Sequence, residues 1–117
     1  PIVEHCVVVG DQRPFIGALV TLDPESLALW LPAHGLSTET PVDRLATNAA
    51  VREAIQQYVD KANATVSRAE SVRKFVVLDA QFTQKNSCLT PSLKVVRPAV
   101  NHVFSGAIDQ ELYAGKR

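Results

Sequence analysis

Two eight-residue runs, Ile2–Val9 (IVEHCVVV) and Phe15–Leu22 (FIGALVTL), are almost continuously apolar and rich in β-branched residues. Apolar runs this short, bounded by turn signals, read as strands. Gly10-Asp11 and Arg13-Pro14 supply the turn between them, which predicts an antiparallel hairpin with a loop of about five residues. A strand that alternates apolar and polar residues keeps one face in water, whereas a nearly unbroken apolar strand is covered on both. The hairpin therefore needs helices, or another domain, on each side. At 117 residues and 12.7 kDa the chain has room for one hydrophobic core and thus for one domain.

The rest of the chain supplies the cover. Asp23-Pro24-Glu25 is a helix start: a capping acceptor, a proline at the first helical position and an acid at the positive end of the dipole. The helix carries Leu27, Leu29, Trp30 and Leu31 and stops near His34-Gly35, where glycine suits a C-terminal cap. After a polar loop over 36–41, a longer helix starts at Val42 or at Asn48 and runs to Val66. Its apolar face is Val51, Ala54, Ile55, Tyr58, Val59 and Ala62, at spacings of three and four. Lys74–Leu78 (KFVVL) predicts a third strand. Residues 79–93 are turn-rich, with Thr90-Pro91 barring helix. A final helix opens at Pro98 with Ala99, Val100, Val103, Phe104, Ile108 and Leu112 as its stripe; Gly106 interrupts it and Gly115-Lys116-Arg117 frays. The order β-β-α-α-β-loop-α predicts a small α/β (α+β) domain, a short mixed sheet with an N-terminal hairpin, flanked by helices.

Apolar residues make up 46 % and charged residues 21 % of the chain, ordinary globular usage that excludes a disordered tail. No apolar run reaches the roughly 18 residues of a membrane span. The charges cancel overall but unevenly: residues 1–66 hold 4 basic and 8 acidic side chains, residues 67–117 hold 8 and 4. That asymmetry suits either a phosphate-facing surface or scattered solvated charge. Cys6 and Cys88 form no Cys-x-x-Cys pair, so reduced thiols and a cytoplasmic location are expected, with Cys6 in the core. The sequence has no methionine and is in a strand pattern by Ile2, which predicts a domain excised from a longer chain.

Familiar catalytic patterns are missing. The five glycines, 10, 17, 35, 106 and 115, make no phosphate-binding loop. His5, His34 and His102 lack metal-ligand spacing. Cys88 has no neighbouring histidine to activate it, so an inert thiol is the expectation. What remains is Cys88-Leu89-Thr90-Pro91-Ser92-Leu93-Lys94-Val95-Val96-Arg97: a rigid turn followed by two cations just ahead of a helix. Lys94 is a compact charge on a flexible stem, suited to a phosphate or carboxylate. On composition alone the reading as an ordinary surface lysine wins.

The segment resembles the C-terminal lysine motif of the adenylate-forming synthetases, in the version of long-chain fatty-acid–CoA ligases: leucine-threonine-proline, two residues, then lysine, hydrophobic, any residue, arginine. Upstream, Lys74-Phe75-Val76-Val77-Leu78, Gln81-Phe82-Thr83 and Asn86 are similar to that family's strand and phenylalanine-threonine turn. The stretch from Val7 to Ile16 and from Ala18 to Glu25 resembles its first hairpin. Three blocks in order cover most of the chain. The sequence departs from the family at Leu93, where many members have glycine, at Ser87, which replaces a frequent turn glycine, and at Pro98, where a further basic residue is common. The hinge motif that precedes the hairpin in the family is expected upstream of Pro1.

The resemblance implies a single C-terminal lid domain, residues 1–117, that follows a larger N-terminal adenylation domain. The whole enzyme would join fatty acid, ATP and CoA into acyl-CoA with release of AMP and pyrophosphate. Lys94 would be the catalytic lysine of acyl-adenylate formation and, with Arg97, a contact to ATP phosphate. For Arg97 three readings stay level: phosphate contact, loop positioning, or solvated charge. Mg2+ would be held by the N-terminal domain, and the 117 residues alone would be inactive. No nucleic-acid partner is expected, and peripheral membrane association of the whole enzyme stays open. Two rival readings remain: the lid of a fatty acyl-AMP ligase or other adenylating enzyme that uses a carrier protein, and a non-catalytic binding module using the basic second half.

Overall fold

The computed structural model describes residues 2–10, 13–67 and 71–113. Strand β1 (Val3–Val9) pairs antiparallel with β2 (Ile16–Leu22), in a register that sets Val7 opposite Leu19 and Val9 opposite Gly17. Asp11 and Gln12 of the expected turn, and Gly115-Lys116-Arg117, lie outside the described residues. A bulge between Val3 and His5 breaks the ladder, and the buried Thr21 hydroxyl accepts the His5 N–H there at 3.1 Å. A third strand, β3 (Val72–Val77), lies parallel to the other side of β2. The sheet order β1-β2-β3 makes it the short mixed sheet expected, with β2 in the centre.

Between β2 and β3 the chain crosses one face of the sheet as three helices. Helix α1 (Pro24–Ala33) is capped by Asp23, whose carboxylate accepts the Glu25 N–H at 3.1 Å. It ends with Gly35 at φ 74° and a bond of 2.8 Å from Leu36 N–H to Leu31 O, a left-handed cap that glycine alone adopts freely. The two starts read for the second helix are both real. Helix α2 (Val42–Thr47) ends at Asn48, and Asn48 caps α3 (Ala49–Asn63) by accepting the N–H groups of Ala50 and Val51. At the far end of α3 the Asn63 side-chain amide pairs with both backbone groups of Val72, at 2.9 Å each, and so fixes where β3 begins.

Burial alternates along β2. Ala18, Val20 and Leu22 face α1–α3 with Leu27, Leu31, Leu45, Val51, Ile55 and Val59. Leu19 faces the other way, against Val76, Cys88, Val100, Ile108 and Leu112. Both faces are covered by helices of this chain, which is what the unbroken apolar strand required. Two residues assigned to apolar faces are instead in water, Tyr58 at 39 % and Val103 at 45 % exposed, and Leu29 of α1 is 80 % exposed. Ala62 is exposed as well. Each sits at the margin of its helix stripe, where three-and-four spacing places a residue but does not decide contact.

The final helix is not continuous. Helix α4 (Arg97–Val103) breaks at Phe104, a single turn α5 (Ser105–Ala107) follows, and Ile108–Leu112 winds wide, with Tyr113 N–H bonding Ile108 O at 3.1 Å. Gly106 weakens the helix between them. The wide turn rotates Leu112 and Tyr113 toward the sheet, an insertion of the kind that shifts helical register. The Tyr113 hydroxyl reaches Phe15 O at 2.8 Å and Val9 O at 3.1 Å, tying together the two ends of the hairpin turn.

Leu112 requires the absence of a side chain on β2. A Cβ on Gly17 would stand 2.7 Å from the Leu112 methyl carbon and 2.9 Å from its Cγ. Gly17→Val therefore overfills this face, and we expect a loss of about 2–3 kcal/mol by denaturant unfolding. An unchanged midpoint would contradict this packing.

Candidate functional site: the lysine hairpin

Residues 79–96 leave β3 and fold back beneath the second core. Leu78 N–H bonds Val20 O at 2.8 Å, and the Gln81 side chain donates to Leu22 O at 2.8 Å. Asn86 then organises the turn. Its Oδ1 accepts the N–H groups of Thr83 and Cys88, each at 3.0 Å, and its Nδ2 donates to Gln81 O at 2.9 Å. The Thr83 hydroxyl accepts the Asn86 N–H at 3.0 Å in return. Polar turns of this length persist when side chains stand in for ladder partners.

From Cys88 the chain enters a tight hairpin. Leu89 and Val95 bridge antiparallel, and Val96 N–H bonds Cys88 O at 2.9 Å. At the tip, Leu93 N–H bonds Thr90 O and Thr90 N–H bonds Lys94 O, both at 2.8 Å. The Lys94 N–H donates to Thr90 Oγ1 at 3.0 Å. The base of the hairpin is sunk in the core through the fully buried Cys88 and the half-buried Leu89 and Val95. The tip, residues 91–94, is exposed.

Lys94 thus sits on a backbone held at every turn, while its side chain stands in solvent. Among the described residues its ammonium has no ion-pair or hydrogen-bond partner. The structure gives Arg97 a different setting. Its Nη1 donates to Val8 O at 2.9 Å, covering part of the outer edge of β1. It lines a cavity of about 360 Å³ with Val8, Arg13, Asn101, Ser105 and Asp109. Lys94 does not line that cavity. Nearby Arg13 is bound to Asp109 at 2.7 Å and lies over the Tyr113 ring. The bond to Val8 ties Arg97 to β1.

Burial raises the Cys88 thiol above its ordinary value of 9.0, so Cys88 is a packing residue with little thiolate. Cys6 is raised for the same reason. Burial also pushes up Tyr113, against smaller opposing effects of Arg13 and a backbone bond from Gly17. His34 stacks on Trp30 with ring centroids 3.9 Å apart and its Nδ1 meets Trp30 O; His5 packs on Phe82. Among the described residues, no three potential metal ligands lie together.

The sequence motif contains Lys94 but does not show what holds its backbone. The roles of Thr90 and Asn86 were carried by motif position only, although Thr83-x-x-Asn86 and Thr90 before proline are the residue types that bond to local backbone. Two of the noted departures are explained together. Ser87 at φ 67° and Leu93 at φ 66° stand in the left-handed region, which is where glycine is the expected residue.

The chain is similar to known proteins in sequence and in fold. The whole chain, residues 1–117, matches the family described as AMP-binding enzyme C-terminal domain. It is 41 % identical over 109 residues to the long-chain-fatty-acid–CoA ligase FadD15 of Mycobacterium tuberculosis, covering 93 % of this chain and 18 % of that protein. It is 32 % identical to the long-chain-fatty-acid–CoA ligase ACSBG2 of Gallus gallus, covering 97 % of this chain and 17 % of the relative. The chain therefore spans less than a fifth of these relatives. In three dimensions it resembles the A domain of a carboxylic acid reductase from Segniliparus rugosus solved with AMP and a carboxylic acid, with TM-score 0.62 and 25 % identity over 97 % of this chain and 16 % of that one.

Ser87→Gly should relieve left-handed strain, raising stability by about 0.5–1 kcal/mol after the added freedom of the unfolded chain; a lower unfolding midpoint would contradict this. The half-buried Cys6 thiol, the buried Cys88 thiol and the Tyr113 phenol contribute to the alkaline behaviour. Their raised pKa values mean that the folded state holds its protons longer than the unfolded state does. Their stability is thus fully present below 9.0, the ordinary thiol value, and is lost as pH rises through the raised ones. Unfolding midpoints recorded from pH 7 to roughly 10.5 should fall at the alkaline end, less steeply in a Cys6→Ala Cys88→Ala variant.

Proposed function

The chain belongs to the AMP-binding enzyme C-terminal domain family, and from that premise we propose that it is the mobile lid of a long-chain fatty-acid–CoA ligase. The observation that carries the reading is Lys94: an ammonium unpaired among the described residues, at the exposed tip of a hairpin whose backbone is fixed. The resemblance to FadD15 and ACSBG2 supports the long-chain branch. The whole protein would also contain a larger domain upstream that holds the nucleotide, the fatty acid and Mg2+.

The reaction has two halves. The fatty-acid carboxylate attacks the α-phosphorus of ATP, giving acyl-AMP and pyrophosphate; the CoA thiol then displaces AMP. The first half brings two anions together. Lys94, set between the carboxylate and the α-phosphate, offsets their repulsion and holds the charge that develops as phosphorus changes partners. A lysine suits this better than arginine, because a compact ammonium on a flexible stem can meet two oxygens on different molecules. In the second half the domain turns away, Lys94 leaves, and another face of the domain meets CoA. Arg97 keeps the hairpin against β1.

No helix among the described residues is long and apolar enough to cross a membrane. A carrier-protein acceptor is the alternative outcome of the second half-reaction, separated by whether CoA or a phosphopantetheinyl protein takes the acyl group.

In the full-length protein, Lys94→Ala should lower acyl-AMP formation by about 10²–10³-fold, followed as fatty-acid-dependent pyrophosphate release. Thioester formation from supplied acyl-AMP should survive. Equal loss of both steps would overturn the role.

A further inference from the structure

The tip of the lysine hairpin has a geometry that gives one hydroxyl a particular task. Leu93 N–H to Thr90 O and Thr90 N–H to Lys94 O, with Leu93 at φ 66°, are the pattern of a three-residue hairpin loop closed by a left-handed bulge residue. The loop is Pro91, Ser92 and Leu93. A bulge sets two residues opposite one, so one N–H loses its ladder partner. Here that N–H belongs to Lys94, and Thr90 Oγ1 accepts it at 3.0 Å. Ser92 Oγ lies 3.1 Å from the same hydroxyl, which gives its own proton an acceptor.

We propose that Thr90 is a positioning residue for acyl-adenylate formation: its hydroxyl fixes the Lys94 peptide and with it the direction in which the lysine stem leaves the hairpin. The inference rests on the reading of Lys94 given above. Thr90 touches no reactant and acts through Lys94. Three of its groups engage the tip, the N–H and C=O through backbone bonds and the hydroxyl through the bulge. The two backbone bonds set the spacing of the strands. Only the hydroxyl addresses the orientation of the peptide that precedes the lysine Cα. It also holds a loop whose Leu93 is strained, and such a residue persists only where its neighbours over-determine it. Rate in a reaction governed by placement of charge depends on this kind of orientation.

The test compares Thr90→Val, which keeps the shape and removes the hydroxyl, with Thr90→Ser, which restores it, both in the full-length enzyme. Lys94→Ala serves as reference. Thr90→Val should lower kcat for acyl-AMP formation about tenfold, with KM for ATP within about twofold and the rate from supplied acyl-AMP and CoA unchanged. Thr90→Ser should recover to within about threefold of wild type. The proposal is overturned if Thr90→Val adenylates normally, if Thr90→Ser is as slow as Thr90→Val, or if both half-reactions fall together. If Lys94→Ala is selective and Thr90→Val is silent, only this inference fails. If Lys94→Ala leaves adenylation intact, the reading of the site fails and this one goes with it.

Discussion

Strand β2 is the constraint on which the rest of the domain depends. It is central in the sheet, antiparallel to β1 and parallel to β3, and every residue from Gly17 to Leu22 is buried. A strand closed in on all sides leaves no room for polar side chains except where one meets a partner, as Thr21 does with His5. Its parallel pairing with β3 demands a long crossover, which α1–α3 provide on one face. The opposite face is then left for whatever follows β3. That is why the lysine hairpin, α4 and the wide turn gather there.

The second face has a further consequence. The hairpin that carries Lys94 is not a free surface loop, because Cys88, Leu89 and Val95 join the same core as Leu19, Val76 and Leu112. Arg97, three residues past the lysine, reaches Val8 O on the far strand. The bond serves two purposes at once: it occupies part of an open strand edge, and it ties the start of α4 to the sheet. A charge delivered by such a hairpin moves when the whole domain moves. In the lid we propose, this rigidity would let rotation remove Lys94 completely.

Much of the fold was legible because its signals are local. The hairpin followed from two apolar runs and a turn, and α1 from Asp23-Pro24 and Gly35. The two starts read for the next helix were each a true cap, with Asn48 ending one helix and opening another. The failures are non-local. A continuous final helix satisfies the spacing of Val100, Phe104, Ile108 and Leu112, yet the chain breaks at Phe104 and widens beyond it. What selects the wide turn is distant in sequence: Gly17, which admits Leu112, and the carbonyls of Val9 and Phe15, which take the Tyr113 hydroxyl. Likewise the lysine was found from its motif, whereas the partner of Arg97 lies 89 residues away and has no trace in the pattern around it.

Leu93 and Ser87 show what a motif glycine is for. The backbone at both positions is left-handed, where glycine is at ease and a leucine or serine costs about 1–2 kcal/mol. The hairpin keeps its shape regardless, since the bonds at Thr90 and the network at Asn86 hold it from both ends. A β-carbon at Leu93 narrows the conformations open to the loop, where glycine would widen them. Substitution by leucine therefore exchanges intrinsic ease for stiffness directly before the lysine. The flexible element is moved out of the main chain and into the four-carbon lysine stem. Under the role proposed for Lys94, such a division suits a charge that the domain brings to one place and that then adjusts to oxygens on two different molecules.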